Sequence, residues 1–313
     1  MGDILSKFII VNPQSAGGAT GQRWPQLAAQ LESAIGPFDV LTTNAPGHAT
    51  ELARQAADKG ATRLIAIGGD GTVNEVINGI MAGDPETRPA LGLIDAGTGG
   101  DFARNINLPL DLDGQLDVLR RGTTRPIGLG LADYCDMEGK QARRYFAVLC
   151  SFGISSAINA YVNGHPQLKR WGNSAAFTWA AMRTLMTFDN VPVAITVDGQ
   201  LAYDGPALLC SACNGPLVGG GMKLAPDASA FDPDLAFMVG GDIRLARRLR
   251  LFAGIYDGNH IGRPNVQDLK GMTLSANSHG DAPVYVDMDG DLVGTLPLSV
   301  RAISDALQVM CPA

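Results

Sequence analysis

Residues 68–75, Gly-Gly-Asp-Gly-Thr-Val-Asn-Glu, have the composition of a loop that binds phosphate. They follow an apolar run typical of a buried strand and precede a pattern typical of an amphipathic helix. Glycines let backbone N–H groups approach a phosphate closely, and a helix N-terminus adds partial positive charge. The segment lacks the Gly-Lys-Ser/Thr of a Walker loop and the spacing of G-x-G-x-x-G. A capped helix start, with Thr72 as N-cap and Glu75 three residues later, would explain the polar residues but not the glycines.

Three aspartates alternate near the C-terminus, at Asp287, Asp289 and Asp291. A carboxylate in such an Asp-Gly turn can project into a cleft and accept the proton of a hydroxyl group that attacks a phosphate. Taken alone, the pattern is more typical of an exposed hairpin turn. Both interpretations stay open at this point, and the choice between them depends on the rest of the chain.

The chain that carries these residues has 313 residues, of which 46% are hydrophobic and 18% charged, and a net charge of −7. This composition excludes an intrinsically disordered protein and a generally basic nucleic-acid-binding protein, so we expect no nucleic acid partner. No apolar run reaches the ~18 residues of a membrane-spanning helix. The odd number of cysteines, five, favours a reducing cytoplasm. Cys210 and Cys213 form a C-x-x-C pair in an apolar run, which predicts buried strand residues over a redox or metal site.

Two different patterns divide the chain near residue 125. Before that point, apolar strand runs alternate with amphipathic helices, which predicts βαβ units and a parallel sheet with ligands at the carboxyl ends of its strands. Glycine-rich loops follow three of these strands, at residues 16–18, 68–71 and 97–100. Beyond that point short strand-like runs dominate, interrupted by helices near 175–188 and 243–256, which predicts a β-rich second domain.

Six short runs, in the right order along nearly the whole chain, resemble the diacylglycerol kinase catalytic domain, which bacterial lipid kinases and the sphingosine and ceramide kinases share. The Gly-Gly-Asp-Gly-Thr loop with Asn-Glu behind it is the most informative of them. Residues 97–104 are similar to the family's Gly-Thr-x-Asn-Asp-Phe-Ala-Arg run, and Asp289-Gly290-Asp291 is similar to its Asp-Gly-Glu. The other three are Asn12-Pro13 with Ser15 and Gly17, Thr43 with Gly47-His48-Ala49, and Asn214-Gly215-Pro216 with Gly219-Gly220-Gly221 and Ala225-Pro226.

The resemblance implies an α/β fold with two domains. A Rossmann-like parallel-sheet domain at residues 1–125 and 299–313 would bind the nucleotide, and a β-sandwich domain at 126–298 would bind the lipid. The implied activity is that of a cytoplasmic, ATP- and magnesium-dependent lipid kinase of phospholipid biosynthesis, which transfers the γ-phosphoryl group to a hydroxyl of a lipid or lipid-like alcohol. The implied ATP-binding positions are Asn12, Thr43, Gly68, Gly69, Asp70, Gly71, Thr72, Asn74, Glu75, Thr98 and Asp101.

The resemblance also implies roles for acidic residues of the second domain. Asp289 would be the general base, with Asp291 as its neighbour in the turn. Asp232, with the backbone carbonyls of Ser229 and Asp234, would hold a structural magnesium ion.

Two alternatives remain open. An NAD kinase also contains Gly-Gly-Asp-Gly, and its base would be Asp70, although the Asn-Glu after the loop and the run at 101–104 fit lipid kinases better. A catalytically weakened nucleotide- or lipid-binding protein of the same fold is the other, because the chain departs from the family pattern. The departures are Gly100 for asparagine, Gly128 for an aspartate that helps hold the catalytic magnesium, Asp95 for proline, Pro233 for glycine and Asp291 for glutamate.

Two segments suggest contact with lipid. Arg244, Arg247 and Arg248 share one predicted helical face, which could contact an anionic membrane surface or be an ordinary solvated face. The other segment could line a cleft for acyl chains or pack in the core. It comprises Trp171, Phe177, Trp179, Met182, Leu185, Met186 and Phe188, with Lys169, Arg170 and Arg183. The sequence leaves the acceptor lipid and the oligomeric state open.

Overall fold

The computed structural model describes residues 6–97, 99–165 and 173–312, with backbone alone over 173–178. The chain divides into two compact units, Met1–Leu129 with Ser304–Ala313, and Gly130–Ile303. The sequence predicts these boundaries at 125/126 and 298/299. Two strands, β5 (Thr124–Asp136) and β17 (Asp291–Met310), contribute residues to both units.

The first unit is built on a parallel sheet with the strand order β2, β1, β3, β4 and the end of β17. The first four strands are β1 (Lys7–Val11), β2 (Asp39–Thr42), β3 (Arg63–Gly68) and β4 (Ala90–Asp95). β1, β3 and β4 are almost continuously buried, as expected for apolar strands covered on both faces. This architecture confirms the predicted parallel-sheet α/β fold.

The described part of this unit contains the α-helices α1 (Ala19–Ile35), α2 (His48–Asp58), α3 (Asp70–Met81), α4 (Asp101–Asn105) and α5 (Leu112–Arg121). α3 begins two residues after β3 ends, and the glycine-rich segment forms the turn between them. Its apolar stripe, Val73, Val76, Ile77 and Ile80, is buried, as the sequence pattern predicts.

The second unit is β-rich, and its strands pair antiparallel wherever a register is defined. One set of strands has the order β14, β13, β10, β7, β16, β17, and a second set contains β5 with β6 and β15 with β8 and β9. Buried residues from both sets form one apolar core, as in a sandwich.

The strands of this unit, besides β5 and β17, are β6 (Gln141–Phe146), β7 (Leu149–Gly153), β8 (Val191–Val197), β9 (Gln200–Ala207), β10 (Leu209–Cys213), β11 (Leu217–Val218), β12 (Met222–Lys223), β13 (Leu235–Gly240), β14 (Val266–Gly271), β15 (Thr273–Ser278) and β16 (Tyr285–Met288). Successive side chains of a strand point to opposite faces. Cys150, Phe152 and Val286 therefore point into the sandwich core, whereas Ser151 and Asp287 lie on the other face.

Among its described residues, the second unit also contains the α-helices α6 (Ile154–Gly164), α7 (Asn173–Thr187) and α8 (Leu245–Gly254). They share a second, smaller apolar cluster that includes Ile158, Leu185 and Ile243. The sequence predicts α7 and α8 within a few residues, but it does not predict α6. Among the residues that the structure describes, no helix is long and apolar enough to cross a membrane.

The five cysteines are free thiols. Cys210 and Cys213 lie on β10 and are buried, which raises the pKa of both thiols far above the usual range and keeps them protonated. The expectation of buried strand cysteines is therefore confirmed for this pair. Cys150 and Cys311 are also buried, and Cys135 is partly exposed.

Candidate active site

The loop between β3 and α3 lies against the loop that follows β4. A Cβ atom added to Gly69 would lie 3.0 Å from the Cα of Gly97, and one added to Gly97 would lie 2.6 Å from the Cα of Gly69. A Cβ atom at Gly68 would lie 2.5 Å from Oγ1 of Thr72. These three glycines are therefore required by packing within the first unit, whether or not a ligand is bound.

Gly71 differs from its neighbours. It is exposed in the first turn of α3, its φ lies in the ordinary negative range, and a Cβ atom there would meet nothing within 4 Å. The fold gives no steric reason for a glycine at this position. Free space over the N-terminal N–H groups of a twelve-residue helix is what a phosphate group needs.

Two polar side chains connect the ends of β1 and α3. Nδ2 of Asn12 donates to Oγ1 of Thr72 at 2.9 Å, and Oδ1 of Asn12 accepts from the backbone of Gln14 at 3.0 Å. Thr43, buried after β2, donates its backbone N–H to Val11. The parallel sheet thus brings Asn12, Thr43 and Thr72 to the carboxyl ends of its strands, and their role as nucleotide contacts stays a prediction.

Two of the predicted acidic site residues of the first unit accept backbone N–H groups at the N-termini of other helices. Asp70 accepts the backbone N–H groups of Asp101 at 3.3 Å and Phe102 at 3.0 Å, at the start of α4. Glu75 accepts those of Gly47 at 2.8 Å and Ala49 at 3.0 Å, at the start of α2. Both carboxylates therefore position neighbouring loops, and their role as nucleotide contacts stays a prediction.

The remaining candidates of the first unit are Asn74, Asp101 and Thr98. Asn74 is buried inside α3 and shares a hydrogen bond with Asn78, and Asp101 is buried and pairs with Arg104 at 3.3 Å. Thr98 lies outside the described residues. A cleft of about 420 Å³ adjoins these loops, and its lining includes Arg23, Asp95 and Gly97.

Two departures from the family pattern turn out to be neighbours. Gly100 has a φ of +65°, and a Cβ atom there would lie 2.3 Å from Oδ2 of Asp95. The Asp95 carboxylate therefore occupies the space that a side chain at position 100 would need. Burial raises the pKa of Asp95, and the charge of Asp70 adds to this, while the Gly97 N–H at 2.9 Å and Arg104 act in the opposite direction. The sequence suggested neither this contact nor the resulting pair of acidic groups.

In the second unit, Asp289 organises the backbone around it. Its carboxylate accepts three backbone N–H groups, from Ala147 at 2.8 Å, Val148 at 2.9 Å and Leu149 at 2.8 Å. Asp289 itself has a φ of +47°, in the turn between β16 and β17. Asp291 is exposed and forms an ion pair with Arg144 at 2.8 Å. The role of Asp289 as general base stays a prediction.

Asp287 is the member of the aspartate series that is not at the surface. Only 2% of it is exposed, and it accepts hydrogen bonds from Ser151 and from Nδ2 of Asn159, the latter at 2.6 Å. An exposed hairpin with three alternating carboxylates is therefore wrong for this position. No local signal in the sequence distinguishes Asp287, because both of its partners are distant in the chain.

The predicted magnesium ligands have other partners in this fold. Nζ of Lys270 pairs with Oδ2 of Asp232 at 3.2 Å, and the carbonyl of Ser229 accepts the backbone N–H of Asp232 at 3.0 Å. Over the described ranges, no three acidic, histidine or cysteine side chains lie close enough to hold a metal. The oxygen donors suit magnesium by type, Lys270 pairs with the carboxylate in this structure, and the role of Asp232 as a magnesium ligand stays a prediction.

The prediction that Arg248 shares a basic helix face with Arg244 and Arg247 is wrong. Arg248 is buried, and its guanidinium donates to the carbonyls of Ile243 and Phe188 and to Oδ1 of Asn190. The sequence pattern predicts it beside Arg244 and Arg247, which are exposed. Arginine can be buried where carbonyl oxygens receive its five N–H groups, and helical spacing alone cannot reveal such oxygens.

The apolar segment before β8 divides between interior and surface. Leu185 is buried, Phe188 is partly buried, and Trp179, Met182 and Met186 are exposed by 42%, 42% and 62%. The guanidinium of Arg183 lies 4.7 Å from the ring centre of Tyr161 on α6. The expectations for Lys169, Arg170 and Trp171, and for the side chain of Phe177, lie outside the described residues.

Two family models together match most of the chain, and curated relatives align with nearly all of it. Residues 6–132 match the model of the diacylglycerol kinase catalytic domain, and residues 149–311 match that of the YegS C-terminal NAD kinase beta sandwich-like domain. The chain is 30% identical over 304 residues to a diacylglycerol kinase of Staphylococcus carnosus, covering 97% of this chain and 94% of the relative. It is 30% identical over 290 residues to that of Bacillus subtilis, covering 92% and 90%.

Solved structures share the fold at lower identity. A diacylglycerol kinase from Bacillus anthracis has a TM-score of 0.72 and 22% identity, covering all of this chain and 98% of that one. Yeast NADH kinase, solved with NADH, has a TM-score of 0.57 and 12% identity, covering 99% and 84%. At these identities the two structures indicate similarity of fold alone.

Proposed function

Because the chain belongs to the diacylglycerol kinase family, we propose that it is an ATP-dependent lipid kinase. It transfers the γ-phosphoryl group of ATP to a hydroxyl of a lipid or lipid-like alcohol. The observation that carries the proposal is Gly71, exposed and unpacked at the N-terminus of α3. A glycine that the fold does not require, at the position where the family binds phosphate, is explained by the ligand.

Different residues of the chain bind the phosphates and position the loops. Backbone N–H groups at the start of α3 hold the nucleotide phosphates, and the hydrogen bond between Asn12 and Thr72 fixes the adjoining loop. The packing of Gly69 on Gly97 fixes the second loop at the same sheet edge. Phosphoryl transfer depends mainly on such positioning and on charge neutralisation, with a carboxylate to take the hydroxyl proton.

Magnesium enters the proposal with the nucleotide. When bound to ATP it neutralises the phosphate charge that develops during transfer. A resident ion at Asp232 is not part of the proposal, because Lys270 already pairs with that carboxylate. Gly128 stands where the family has an aspartate, so that carboxylate is absent from this chain. Asp95 is an acidic group that the family pattern lacks, and it lies next to the nucleotide loops.

The acceptor lipid would be reached from a membrane surface. Arg244, the N-cap of α8, and Arg247 and Arg250 within it are exposed, and Leu245 and Leu249 are each exposed by 42%. Cationic and apolar side chains on one short helix suit the headgroup region of an anionic membrane. With five free cysteines, which suit a reducing compartment, the proposal gives a cytoplasmic enzyme that contacts the membrane transiently.

The two alternatives have less support. An NAD kinase would use Asp70 as its base, but both oxygens of Asp70 accept backbone N–H groups of α4. The departures at Gly100 and Gly128 suggest a weakened binding protein. The Asp95 carboxylate, however, occupies the space that a side chain at position 100 would need, so the change to Gly100 is compensated by Asp95 within the same loop.

The test compares Gly71→Val with Gly164→Val. Both glycines are helical, neither has a positive φ, and a Cβ atom added to either would meet nothing within 4 Å. Valine favours helix more than glycine, so neither change should lower stability. We expect Gly71→Val to abolish ATP binding by calorimetry and Gly164→Val to leave it unchanged.

Labelled ATP is then offered with diacylglycerol, other lipid alcohols, NAD or no acceptor. We expect transfer to a lipid alcohol alone. Transfer to NAD would identify the NAD kinase alternative, and ATP binding without transfer would identify the binding protein. Normal ATP affinity in a folded Gly71→Val protein would remove the observation on which the proposal rests.

A further inference from the structure

Two carboxylate groups fill the space beside the glycines that follow β4. A Cβ atom added to Gly99 would lie 2.8 Å from Oδ2 of Asp70, and one added to Gly100 would overlap Oδ2 of Asp95. A side chain at either position would therefore displace the carboxylate that faces it. Asp70 holds the start of α4, since its oxygens accept two backbone N–H groups there. The carboxylate of Asp95 has a different partner.

That partner is the backbone of the loop that Asp95 begins. Oδ1 of Asp95 accepts the N–H of Gly97 at 2.9 Å. The backbone N–H of Asp95 donates to Oε1 of Gln115 at 3.1 Å, and Gln115 is buried on α5. Asp95 is thus fixed at the end of β4 by one hydrogen bond and holds Gly97 by another.

Gly97 connects Asp95 to the loop between β3 and α3. A Cβ atom added to Gly97 would lie 2.6 Å from the Cα of Gly69, so the two backbones are in direct contact. Gly69 is the N-cap of α3, whose first N–H groups hold the nucleotide phosphates in the proposed function. Because close-packed atoms transmit strain, a shift of Gly97 would also move Gly69.

The carboxylate of Asp95 occupies its place at an electrostatic cost. Burial raises the pKa of Asp95, and the charge of Asp70 raises it further, while the hydrogen bond from Gly97 and the charge of Arg104 act in the opposite direction. The rest of β4 consists of apolar residues and one glycine, so the strand gives no reason for a carboxylate at its end. The hydrogen bond to Gly97 supplies that reason.

We propose that Asp95 is a positioning residue of the nucleotide site. Its carboxylate lies in the space that Gly100 leaves free, holds Gly97 against Gly69 and so fixes the loop that binds the phosphates. This inference rests on the proposed kinase function. Asp95 acts through Gly97 and does not itself contact ATP.

The first test compares Asp95→Ala and Asp95→Asn, with Asp84→Ala as the matched control. Asp84 also accepts the backbone N–H two residues further on, that of Glu86 at 3.0 Å, but it lies before β4, away from the carboxyl end of the strand. We expect Asp95→Ala to raise the Kd for ATP, measured by calorimetry, by about tenfold or more. Asp84→Ala should lower stability alone.

Asp95→Asn should bind ATP nearly as well as the wild-type protein, because its amide oxygen can still accept the N–H of Gly97. A purely electrostatic role would make this variant resemble Asp95→Ala. An unchanged Kd in a folded Asp95→Ala protein overturns the proposal, and so does an Asp95→Asn protein that binds ATP as weakly as Asp95→Ala.

A double-mutant cycle tests the pairing of Asp95 with Gly100. Asparagine tolerates a positive φ, so Gly100→Asn should fold, but its Cβ would displace the Asp95 carboxylate and release Gly97. We expect this change to weaken ATP binding in the wild-type background. In the Asp95→Ala background the space is empty, and the same change should have little further effect. Losses that simply add would overturn the pairing.

A measurement without nucleotide separates this inference from the proposed function. In the free protein, NMR should show faster amide hydrogen exchange at Gly97 in Asp95→Ala than in the wild-type protein or in Asp84→Ala. Unchanged exchange at Gly97 overturns the inference, even if the protein is an active lipid kinase. A wild-type protein that binds no ATP overturns the proposed function and, with it, the nucleotide-positioning role of Asp95.

Discussion

At the scale of single residues, Asp289 acts on the backbone of its own unit. Its two oxygens receive the N–H groups of three consecutive residues, from 147 to 149, just before and at the start of β7. Hydrogen bonds to a charged acceptor contribute more than neutral ones, and an unsatisfied buried donor costs about 1–3 kcal/mol. The stability of this strand connection therefore depends on the charge and shape of one side chain.

Replacing Asp289 by Asn should lower the free energy of unfolding by about 1–3 kcal/mol. Asparagine tolerates a positive φ, but its amide NH₂ would face a backbone N–H that now donates to a carboxylate oxygen. Denaturant unfolding measures this loss. Asp291→Asn is the control, since its exposed pair with Arg144 is worth about 0–1 kcal/mol. A fully stable Asp289→Asn protein with kcat reduced by about 10² or more would support Asp289 as the general base.

Single residues also show what sequence reasoning can and cannot reach. The loop at 68–75 can be recognised because its glycines and polar residues are contiguous. The contact of Gly69 with Gly97 joins two different loops, and that of Asp95 with Gly100 depends on how the single loop between β4 and α4 folds back, so no contiguous motif reveals either contact. For this reason Gly69→Val is a poor test of phosphate binding. Its side chain would strike backbone, and the fold itself would change.

At the scale of elements, the N-terminus of α2 depends on a residue of α3. Glu75 accepts the N–H groups of Gly47 and Ala49, so one carboxylate of α3 caps another helix. The sequence pattern suggests Glu75 as a cap for its own helix and as an ATP contact. The long-range cap could not be predicted, since the two groups are 26 to 28 residues apart.

Glu75→Gln should destabilise the first unit by about 1 kcal/mol, because one acceptor oxygen becomes a donor at the start of α2. ATP affinity, measured well below the melting temperature, should stay unchanged. Glu51→Gln is the control, since its exposed side chain bonds only to Gln55 among the described contacts. A loss of ATP affinity without a loss of stability would return Glu75 to the nucleotide site.

The turn before β13 and strand β14 are joined by the pair of Asp232 with Lys270. Asp232→Ala should shift the melting temperature by the same amount in magnesium and in EDTA, because the ammonium group replaces the cation expected from the family. Lys270→Ala tests the same interpretation by removing the ammonium group and leaving the Asp232 carboxylate in place. If magnesium stabilises the Lys270→Ala protein, or if Asp232→Ala is more harmful in magnesium than in EDTA, a metal binds there.

Some helices and strands can be predicted from the sequence, and others cannot. Strands of the first unit are clear because buried parallel strands are continuous apolar runs, as in Leu64-Ile65-Ala66-Ile67. Helix α6 is missed, because two serines and two asparagines interrupt its apolar residues. One of these polar residues, Asn159, donates to the buried carboxyl group of Asp287, so a residue that hid the helix also joins it to β16.

At the scale of the whole molecule, charge is distributed unevenly. The protein carries a net charge of −7, yet α8 and its N-cap residue together expose three arginines beside two leucines. A cationic patch on an acidic protein favours one orientation towards an anionic surface. The exposed residues of α7 add apolar area in the same unit.

Replacing Arg244, Arg247 and Arg250 by Gln should weaken binding to vesicles of anionic lipid by about 1 kcal/mol per arginine. Added salt should weaken binding of the wild-type protein in the same direction. Cosedimentation with anionic and with neutral vesicles measures both effects. Arg248 is left intact, since it holds the end of α7 and its loss would unfold part of the unit. Binding that ignores both salt and substitution would exclude an electrostatic contact.

The cysteines have a practical consequence for work on this molecule. Four of the five thiols are buried, and Cys135, near the end of β5, is partly exposed. A thiol-reactive fluorophore or spin label added to the native protein should therefore attach at one site without any engineered cysteine. That site lies on the second unit, outside the loops of the first. The natural chain thus comes ready for single-label spectroscopy.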